Sequence, residues 1–280
     1  MEVHYRGMTR DDIRAGMRLK DLAGWNQTAR DWERFLEANP EGCFVAEASG
    51  RIVGTSASIV YERRLAWVGM VLVDPEFRRR GIGLRLLDIV LEFLDARHIP
   101  TVKLDATPEG RPIYERRGFV AEYAIERWSL ERPTPPARPA EPLPALLPTI
   151  LKMDCEVFGS DRSWLLSSVD RDAPEFTLAH EAGGHVVAYA LGRHGSRADH
   201  LGPWMAATES VAEEILDNFL RRSARQTIFV DLVKAHPLAE KILRSRGFVF
   251  SRPLARMVRG PNTHPGCPEL LSAVLGPEFG

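Results

Sequence analysis

Apolar and polar residues along the first half of the chain follow two periods, one typical of strands and one typical of amphipathic helices. Two β-rich runs, at residues 43–48 and 51–61, flank a Ser-Gly pair, which is a hairpin signal. Ahead of them, Thr9 and Thr28 are each followed three residues later by an aspartate, the pattern of a capping box. The pattern therefore predicts two helices and then a hairpin.

An amphipathic helix joins two further strands in the middle of this half. Its stripe of apolar positions lies within residues 84–97, between strands predicted at residues 65–73 and 101–106. A short helix at residues 110–117 and a strand at residues 119–128 follow. A strand–helix–strand order of this kind forms a right-handed crossover between parallel strands. The pattern predicts an α/β sheet.

A proline-rich stretch divides the chain at residues 131–148. Seven of the 20 prolines lie there, and each one fixes φ and removes a backbone donor. The stretch is typical of an extended spacer, since the alternative, one long surface loop, is uncommon in compact domains. We predict a domain at residues 1–130, a linker at residues 131–148 and a second domain at residues 149–280, as a length of 280 residues allows.

The second half repeats the order of the first. Residues 46–53 (AEASGRIV) are echoed by residues 180–187 (HEAGGHVV), and Gly118 with its following phenylalanine reappears at Gly247. Matches in the same order and at similar spacing favour a duplicated fold over two unrelated domains. In the second copy, a Thr-Glu-Ser run at residues 208–210 replaces the loop described next.

A loop rich in arginine and glycine, Arg78-Arg-Arg-Gly81-Ile-Gly83, joins a strand to the amphipathic helix. Glycines let the backbone turn so that N–H groups converge on an anion, and the helix start adds partial positive charge. Arginines pair with phosphate oxygens in a two-pronged way. A diphosphate suits such a site, whereas a lone Gly-x-Gly would equally fit a simple strand-to-helix turn with solvated arginines.

The run from Val73 through this loop to Leu84 resembles the acetyl-CoA loop of the GNAT N-acetyltransferase superfamily, Arg/Gln-x-x-Gly-x-Gly/Ala, and the segment from Tyr114 to Phe119 resembles its later Tyr-x-x-x-Gly-Phe segment. Weaker similarities elsewhere show that the chain also resembles a bacterial two-domain subgroup with a degenerate C-terminal GNAT-like half. The resemblance implies two tandem α/β domains, each a mixed, mostly antiparallel sheet flanked by helices with a central βαβ crossover. It also implies direct transfer of acetyl from acetyl-CoA to a primary amine.

Candidate site residues follow from the resemblance. Tyr114 is expected to protonate the departing thiolate as general acid or to orient the thioester. Trp25 and Asn26, in the loop between the first two helices, are expected to border the acceptor or else to anchor their loop. The residues expected to contact acetyl-CoA are Val71, Leu72, Val73, Arg78, Arg79, Arg80, Gly81, Ile82, Gly83 and Leu84.

Two positions depart from the family's pattern. Thr107 stands where the family commonly has asparagine, and Val102 stands where some relatives carry a glutamate base. Asp105, Glu47 and a water relay are the candidates for accepting the proton of the amine. These departures leave an alternative open, a non-catalytic acyl-CoA-binding sensor or interaction protein.

The second half is not expected to bind CoA, because Leu243 stands where the first half has Tyr114. It could cover the acceptor cleft, supply a substrate wall or stabilise the first half. His180 and His185 are five residues apart around two glycines, so the spacing predicts a hairpin rather than the helical zinc motif, and no metal site.

Composition and charge limit the classes of partner that we expect for this chain. The chain is 44% apolar and 27% charged, as in globular proteins, and its formal charge of −1 gives no field toward nucleic acid or anionic lipid. Three dispersed cysteines favour a cytoplasmic setting, and no apolar run approaches the about 18 residues of a membrane span. We expect a small-molecule amine or peptide acceptor, with the choice between monomer and homodimer open.

Overall fold

The computed structural model describes residues 2–134, 146–236 and 238–280. Residues 135–145, the larger part of the predicted linker, lie outside the described residues. No helix among the described residues is long and apolar enough to cross a membrane.

The first half follows the predicted order of elements closely. Both predicted capping boxes are present, with the side chains of Thr9 and Thr28 each engaged with the aspartate three residues on. The elements are β1 (His4–Gly7), α1 (Ile13–Leu22), α2 (Ala29–Ala38), β2 (Cys43–Ala48), β3 (Arg51–Tyr61), β4 (Leu65–Val73), α3 (Ile82–Ala96), β5 (Thr101–Ala106), α4 (Arg111–Glu115) and β6 (Val120–Glu131).

The second half repeats much of this order and confirms the predicted hairpin around residues 180–187. Gly183 and Gly184 have φ of 61° and 78°, as Ser49 and Gly50 have 52° and 73° in the first hairpin, the left-handed pairs of a tight two-residue turn. The elements are α5 (Leu147–Phe158), α6 (Ser163–Asp172), β7 (Leu178–Ala182), β8 (His185–His194), β9 (Asp199–Ala206), α7 (Glu209–Arg222), β10 (Thr227–Val233), α8 (Ala239–Ser245), β11 (Val249–Arg259) and β12 (Leu271–Ala273).

The two halves form one mixed, mostly antiparallel sheet, in which the last long strand of each half, β6 or β11, pairs with strands of the other half. Its order is β1-β2-β3-β4-β5-β11-β6-β10-β12-β9-β8-β7. β11 of the second half lies between β5 and β6 of the first, with Ala255 opposite Ala106, and β6 pairs with β10 on its other edge. Each half therefore completes the other's sheet, which the division at residues 130 and 149 did not anticipate.

A split between β4 and β5 positions the site. The two parallel strands pair over Leu65 to Trp67 in the described chain, whereas β4 stays paired with β3 as far as Val73. The remainder of β4 therefore presents main-chain groups toward the gap. Met70 lies at an irregularity in the β3–β4 register and has φ of 54°, so the strand bulges at this point.

The faces of the sheet near the split are covered differently. On one face, α3 packs Leu87 and its neighbours against Val68 and Leu104. On the other face, the ring of Phe35 in α2 stacks on Phe279 of the C-terminal segment at a centroid distance of 5.2 Å. The end of the chain thus reaches the first half beside the split.

Candidate functional site

A cleft of about 800 Å³ opens where β4 and β5 separate. Its walls come from the α1–α2 loop, the end of β4, the loop before α3 and the segment after β5, together with residues of the second half. Those second-half residues are Arg252 and Leu254 of β11 and Pro277 and Glu278 of the C-terminal segment. The cleft is therefore built by both halves.

The loop before α3 has the geometry of an anion site. Gly81 precedes α3 with φ of 78°, a conformation that favours glycine, and Arg79 also has a positive φ of 59°. A Cβ on Gly83 would lie 3.2 Å from a Val73 methyl carbon, so this glycine permits a close approach of helix and strand. The first N–H groups of a helix have no intrahelical acceptor, and Ile82 and Gly83 line the cleft.

A buried carboxylate and its arginine partners hold this loop in place. Asp74 is buried, and its carboxylate accepts hydrogen bonds from Arg18 at 2.6 Å, from the Glu76 N–H at 3.1 Å and from Arg51. The guanidinium of Arg78 donates to the Val73 carbonyl at 3.2 Å. These contacts tie the end of β4 to the loop that follows it.

Nine of the ten residues predicted to contact acetyl-CoA line the cleft. They are Val71, Leu72, Val73, Arg78, Arg79, Gly81, Ile82, Gly83 and Leu84. Arg80 is not part of the lining; its guanidinium lies 5.4 Å from the centroid of the Phe77 ring. The geometry brings the predicted strand end and the predicted loop to one wall.

Tyr114 also lines the cleft, from α4. Its ring packs edge-on against Phe119 at 6.0 Å between centroids, and burial raises the pKa of the phenol to about 12. No residue that the structure describes is hydrogen-bonded to its hydroxyl. At neutral pH this is a protonated donor facing the cleft. Nearby, Thr107 accepts a hydrogen bond from the Gly110 N–H at 3.3 Å.

Three polar atoms of the cleft residues are buried without a hydrogen-bond partner among the described residues. They are Oε1 of Gln27, Oε2 of Glu278 and Nε of Arg252. Gln27 is 5% exposed and Glu278 is 3% exposed. Buried polar groups are normally satisfied, and these three exceptions belong to residues that line one cleft.

Glu278 lies against the bulged part of β4. Its main-chain oxygen is 2.8 Å from where a Cβ on Gly69 would stand, so that glycine admits the C-terminal segment. Trp67 and Tyr61 fix the segment by donating to the carbonyls of Pro277 and Phe279, each at 3.0 Å. This carboxylate was not among the residues predicted from the sequence, where the Gly-Pro-Glu-Phe-Gly end of the chain was its one signal.

The two predicted base candidates occupy different environments. Asp105 lines the cleft, but Arg256 of β11 donates to both its carboxylate oxygens at 2.9 Å, and burial raises the pKa of Asp105. Glu47 is not among the lining residues; it lies in β2, 3.4 Å from the guanidinium of Arg6. The structure therefore brings Asp105, and not Glu47, to the cleft.

The two residues predicted to border the acceptor, Trp25 and Asn26, also lie in different environments. Trp25 lines the cleft, whereas Asn26 is 1% exposed and faces the second half. The Asn26 side-chain oxygen accepts from the N–H groups of Arg197 and Ala198 at 2.9 Å, and its nitrogen donates to the Ala198 carbonyl at 3.1 Å. Asn26 thus ties the α1–α2 loop to the β8–β9 turn, as the alternative of a loop anchor requires.

The described part of the chain contains no group of three or more His, Cys, Asp or Glu side chains placed to hold a metal ion. His180 lies in β7 and His185 begins β8, so the two histidines do not share a helix.

Known proteins resemble both halves of the chain. Residues 16–126 match a family model described as an acetyltransferase (GNAT) domain, and residues 150–270 match a second one with the same description. The N-acetyltransferase YitH of Bacillus subtilis is 25% identical over 240 residues, 83% of this chain and 83% of that protein. A holothin acyltransferase of Pseudoalteromonas is 24% identical over 194 residues, 68% of this chain and 65% of its own length. A mycothiol acetyltransferase of Acidimicrobium ferrooxidans is 32% identical over 123 residues, 38% of this chain and 40% of its own length.

Solved structures agree on the fold. A proposed acetyltransferase from Pyrococcus horikoshii superposes with a TM-score of 0.81 at 23% identity, covering 99% of this chain and 96% of that one. A GCN5-related N-acetyltransferase from Sphaerobacter thermophilus gives a TM-score of 0.68 at 18% identity, covering 92% and 95%. The tandem arrangement of the two halves is therefore shared with solved proteins.

Proposed function

Because the chain belongs to the GNAT acetyltransferase family and is an acyltransferase, we propose that it transfers an acetyl group from acetyl-CoA to a primary amine in the cleft between β4 and β5. The observation that carries the proposal is the split itself, which opens beside the anion-binding start of α3. The main-chain groups of β4 beyond Trp67 suit the pantetheine arm of the cofactor. The N–H groups at the start of α3 suit its pyrophosphate.

Acetyl-CoA would lie along β4. Val71, Leu72 and Val73 would pair with the amides of pantetheine as an added strand does, and the loop from Arg78 to Leu84 would hold the pyrophosphate. The thioester would then lie near the bulge at Met70, where the cleft is lined by both halves. The acceptor would enter from the face that carries Trp25 and Glu278.

The transfer needs three groups. The amine nitrogen attacks the thioester carbon, a C–N bond forms, and the carbonyl oxygen becomes an oxyanion held by a main-chain N–H near Val71. Collapse of this intermediate breaks the C–S bond, and Tyr114 donates its proton to the departing thiolate. Oε2 of Glu278 accepts the proton that the amine loses. Asp105 stays in its ion pair with Arg256 and shapes the wall.

Release of free CoA thiol with a panel of primary amines tests the proposal. We expect turnover with at least one amine and loss of turnover in Gly81→Trp, which would fill the loop. Gly50→Trp is the matched control, because Gly50 also has a positive φ of 73° and open surroundings but lies in the β2–β3 turn. Tight binding of acetyl-CoA without any amine-dependent release would instead identify a binding protein.

A further inference from the structure

Arg252 lies on the acceptor side of the sheet. Side chains alternate along a strand, so Arg252 and Leu254 of β11 share a face with Arg256, whose partner is Asp105. Leu104, the neighbour of Asp105, packs on the opposite face against α3. Arg252 is therefore on the face away from α3 and its phosphate loop.

The carboxylates of Asp231, Glu278 and Glu109 favour the charged form of Arg252, but none of them forms an ion pair with it. Arg252 stands opposite Arg127 in the β11–β6 register, and like charges directly across two strands repel. Arg127 is neutralised by Asp231, to which it donates at 2.8 and 2.6 Å. Arg252 has no hydrogen bond or ion pair with any described residue, and its Nε is buried. Burial first, and then the charge of Arg127, lower the pKa of Arg252.

The unpaired oxygens of Glu278 and Gln27 favour a ligand group of the opposite charge to the one that Arg252 favours. Oε2 of Glu278 and Oε1 of Gln27 belong to residues that line the same cleft, and both atoms can only accept hydrogen bonds. A carboxylate and an amide oxygen suit an ammonium group, whereas the planar guanidinium suits a carboxylate or a phosphate. The cleft thus offers a place for a cation and a place for an anion.

We propose that the acceptor is a primary amine that also carries an acidic group, with its amine at Glu278 and its carboxylate or phosphate at Arg252. This inference rests on the proposed function and adds the class of acceptor. Arg252 is then a specificity residue contributed by the second half, which makes that half a wall of the substrate site.

Paired acceptors that differ in charge test this assignment. One arm compares amino acids with their carboxamides, and the other compares phosphoethanolamine with ethanolamine. We expect kcat/KM of the wild type to favour the acidic member of a pair by about tenfold to a hundredfold, the range of a charge-assisted hydrogen bond. The arm that shows the preference identifies the acidic group.

Three variants separate the possible roles of Arg252. Arg252→Gln should remove the preference by lowering kcat/KM for the acidic member more than kcat/KM for the neutral member, and Arg252→Lys should keep part of the preference. Arg259→Gln is the matched control on the same strand, because Arg259 pairs with Asp95 and does not line the cleft. An unchanged acetyl-CoA Kd and melting temperature show that Arg252→Gln remains folded.

The outcomes are distinguishable. If the wild type turns over both members equally, or if Arg252→Gln keeps the preference, the acceptor class is overturned and the acetyltransferase proposal stands. If Arg252→Gln weakens acetyl-CoA binding as much as turnover, the arginine serves the cofactor and the inference is wrong. If acetyl-CoA binds but no amine is acetylated, the proposed function fails and the inference fails with it.

Discussion

Arg193 binds one carboxylate oxygen of Glu278, and the other oxygen is buried without a hydrogen-bond partner among the described residues. Arg193 belongs to β8 and Glu278 to the C-terminal segment, so the second half both supplies this carboxylate and orients it. Asp31 of α2 accepts from the same guanidinium at 3.1 Å, which connects the first half to the pair. A degenerate repeat can thus contribute to a site that its partner alone would leave incomplete.

Replacing the carboxylate of Glu278 should slow the chemical step. We expect Glu278→Gln to lower kcat by about 10²–10⁴-fold, the range of general base catalysis, because the amide keeps the shape but does not take a proton. The acetyl-CoA Kd should stay within about twofold. Steady-state kinetics and calorimetry check both values, and Glu269→Gln, an exposed position in the same C-terminal segment, is the control. An unchanged kcat in Glu278→Gln contradicts the role.

Removing the phenol of Tyr114 should slow departure of the thiolate. Tyr114→Phe keeps the edge-on contact with Phe119 and removes the proton donor, so we expect kcat to fall about a hundredfold with little change in acetyl-CoA affinity. Because burial raises the phenol pKa to about 12, an alkaline loss of activity near the ordinary tyrosine value of about 10 is not expected. A pH–rate profile checks this, with Tyr5→Phe as control. A loss of wild-type activity near pH 10 that is absent from Tyr114→Phe would contradict this expectation.

The buried pair between Arg127 and Asp231 should stabilise the pairing of strands across the two halves. Asp231→Asn leaves the Arg127 cation buried without its counter-charge, and we expect a loss of about 3–5 kcal/mol in the free energy of unfolding. The matched control is Asp95→Asn, which breaks the exposed pair with Arg259 and should cost less than about 1 kcal/mol. Chemical denaturation measures both, and equal losses would count against this explanation.

His194 should make stability depend on pH. A hydrogen bond to Asp199, with Glu175 on the other ring nitrogen, raises the pKa of His194 above the ordinary 6.5. Since the folded pKa is the higher one, the stabilisation is complete below pH 6.5 and is lost as pH rises through the folded value. Denaturation curves between pH 5.5 and 8.5 should show this slope, as about two units suffice for most of a titration.

The matched variant isolates that histidine. His194→Gln should flatten the slope, whereas His185→Gln, at the exposed start of β8, should leave it in place. A slope that survives in His194→Gln assigns the pH dependence to another group.

Local sequence signals predicted the elements because turns and caps are local. The bounds predicted for the strands at residues 43–48, 51–61, 65–73 and 101–106 coincide with β2, β3, β4 and β5. Serine–glycine and glycine–glycine turns, capping aspartates and a helical stripe each act within a few residues. For the same reason, the loop from Arg78 to Gly83 was placed correctly between strand and helix.

Long-range pairing could not be predicted in this way. Arg256 and Asp105 are 151 residues apart in sequence, and the insertion of β11 beside β5 has no local signature. Asn26 was placed in the right loop, but its amide bonds to Ala198, 172 residues away, rather than facing the cleft. Glu278 looks like an ordinary polar residue of a C-terminal segment until that segment is docked against Gly69.

Titration of the purified protein with acetyl-CoA by calorimetry tests the central claim most directly. We predict one site per chain, since the second half has a Thr-Glu-Ser run in place of the arginine–glycine loop. Binding should be lost in Gly81→Trp and retained in Gly50→Trp. No heat of binding in the wild type, or equal binding in Gly81→Trp, would contradict an acetyl-CoA site between β4 and β5.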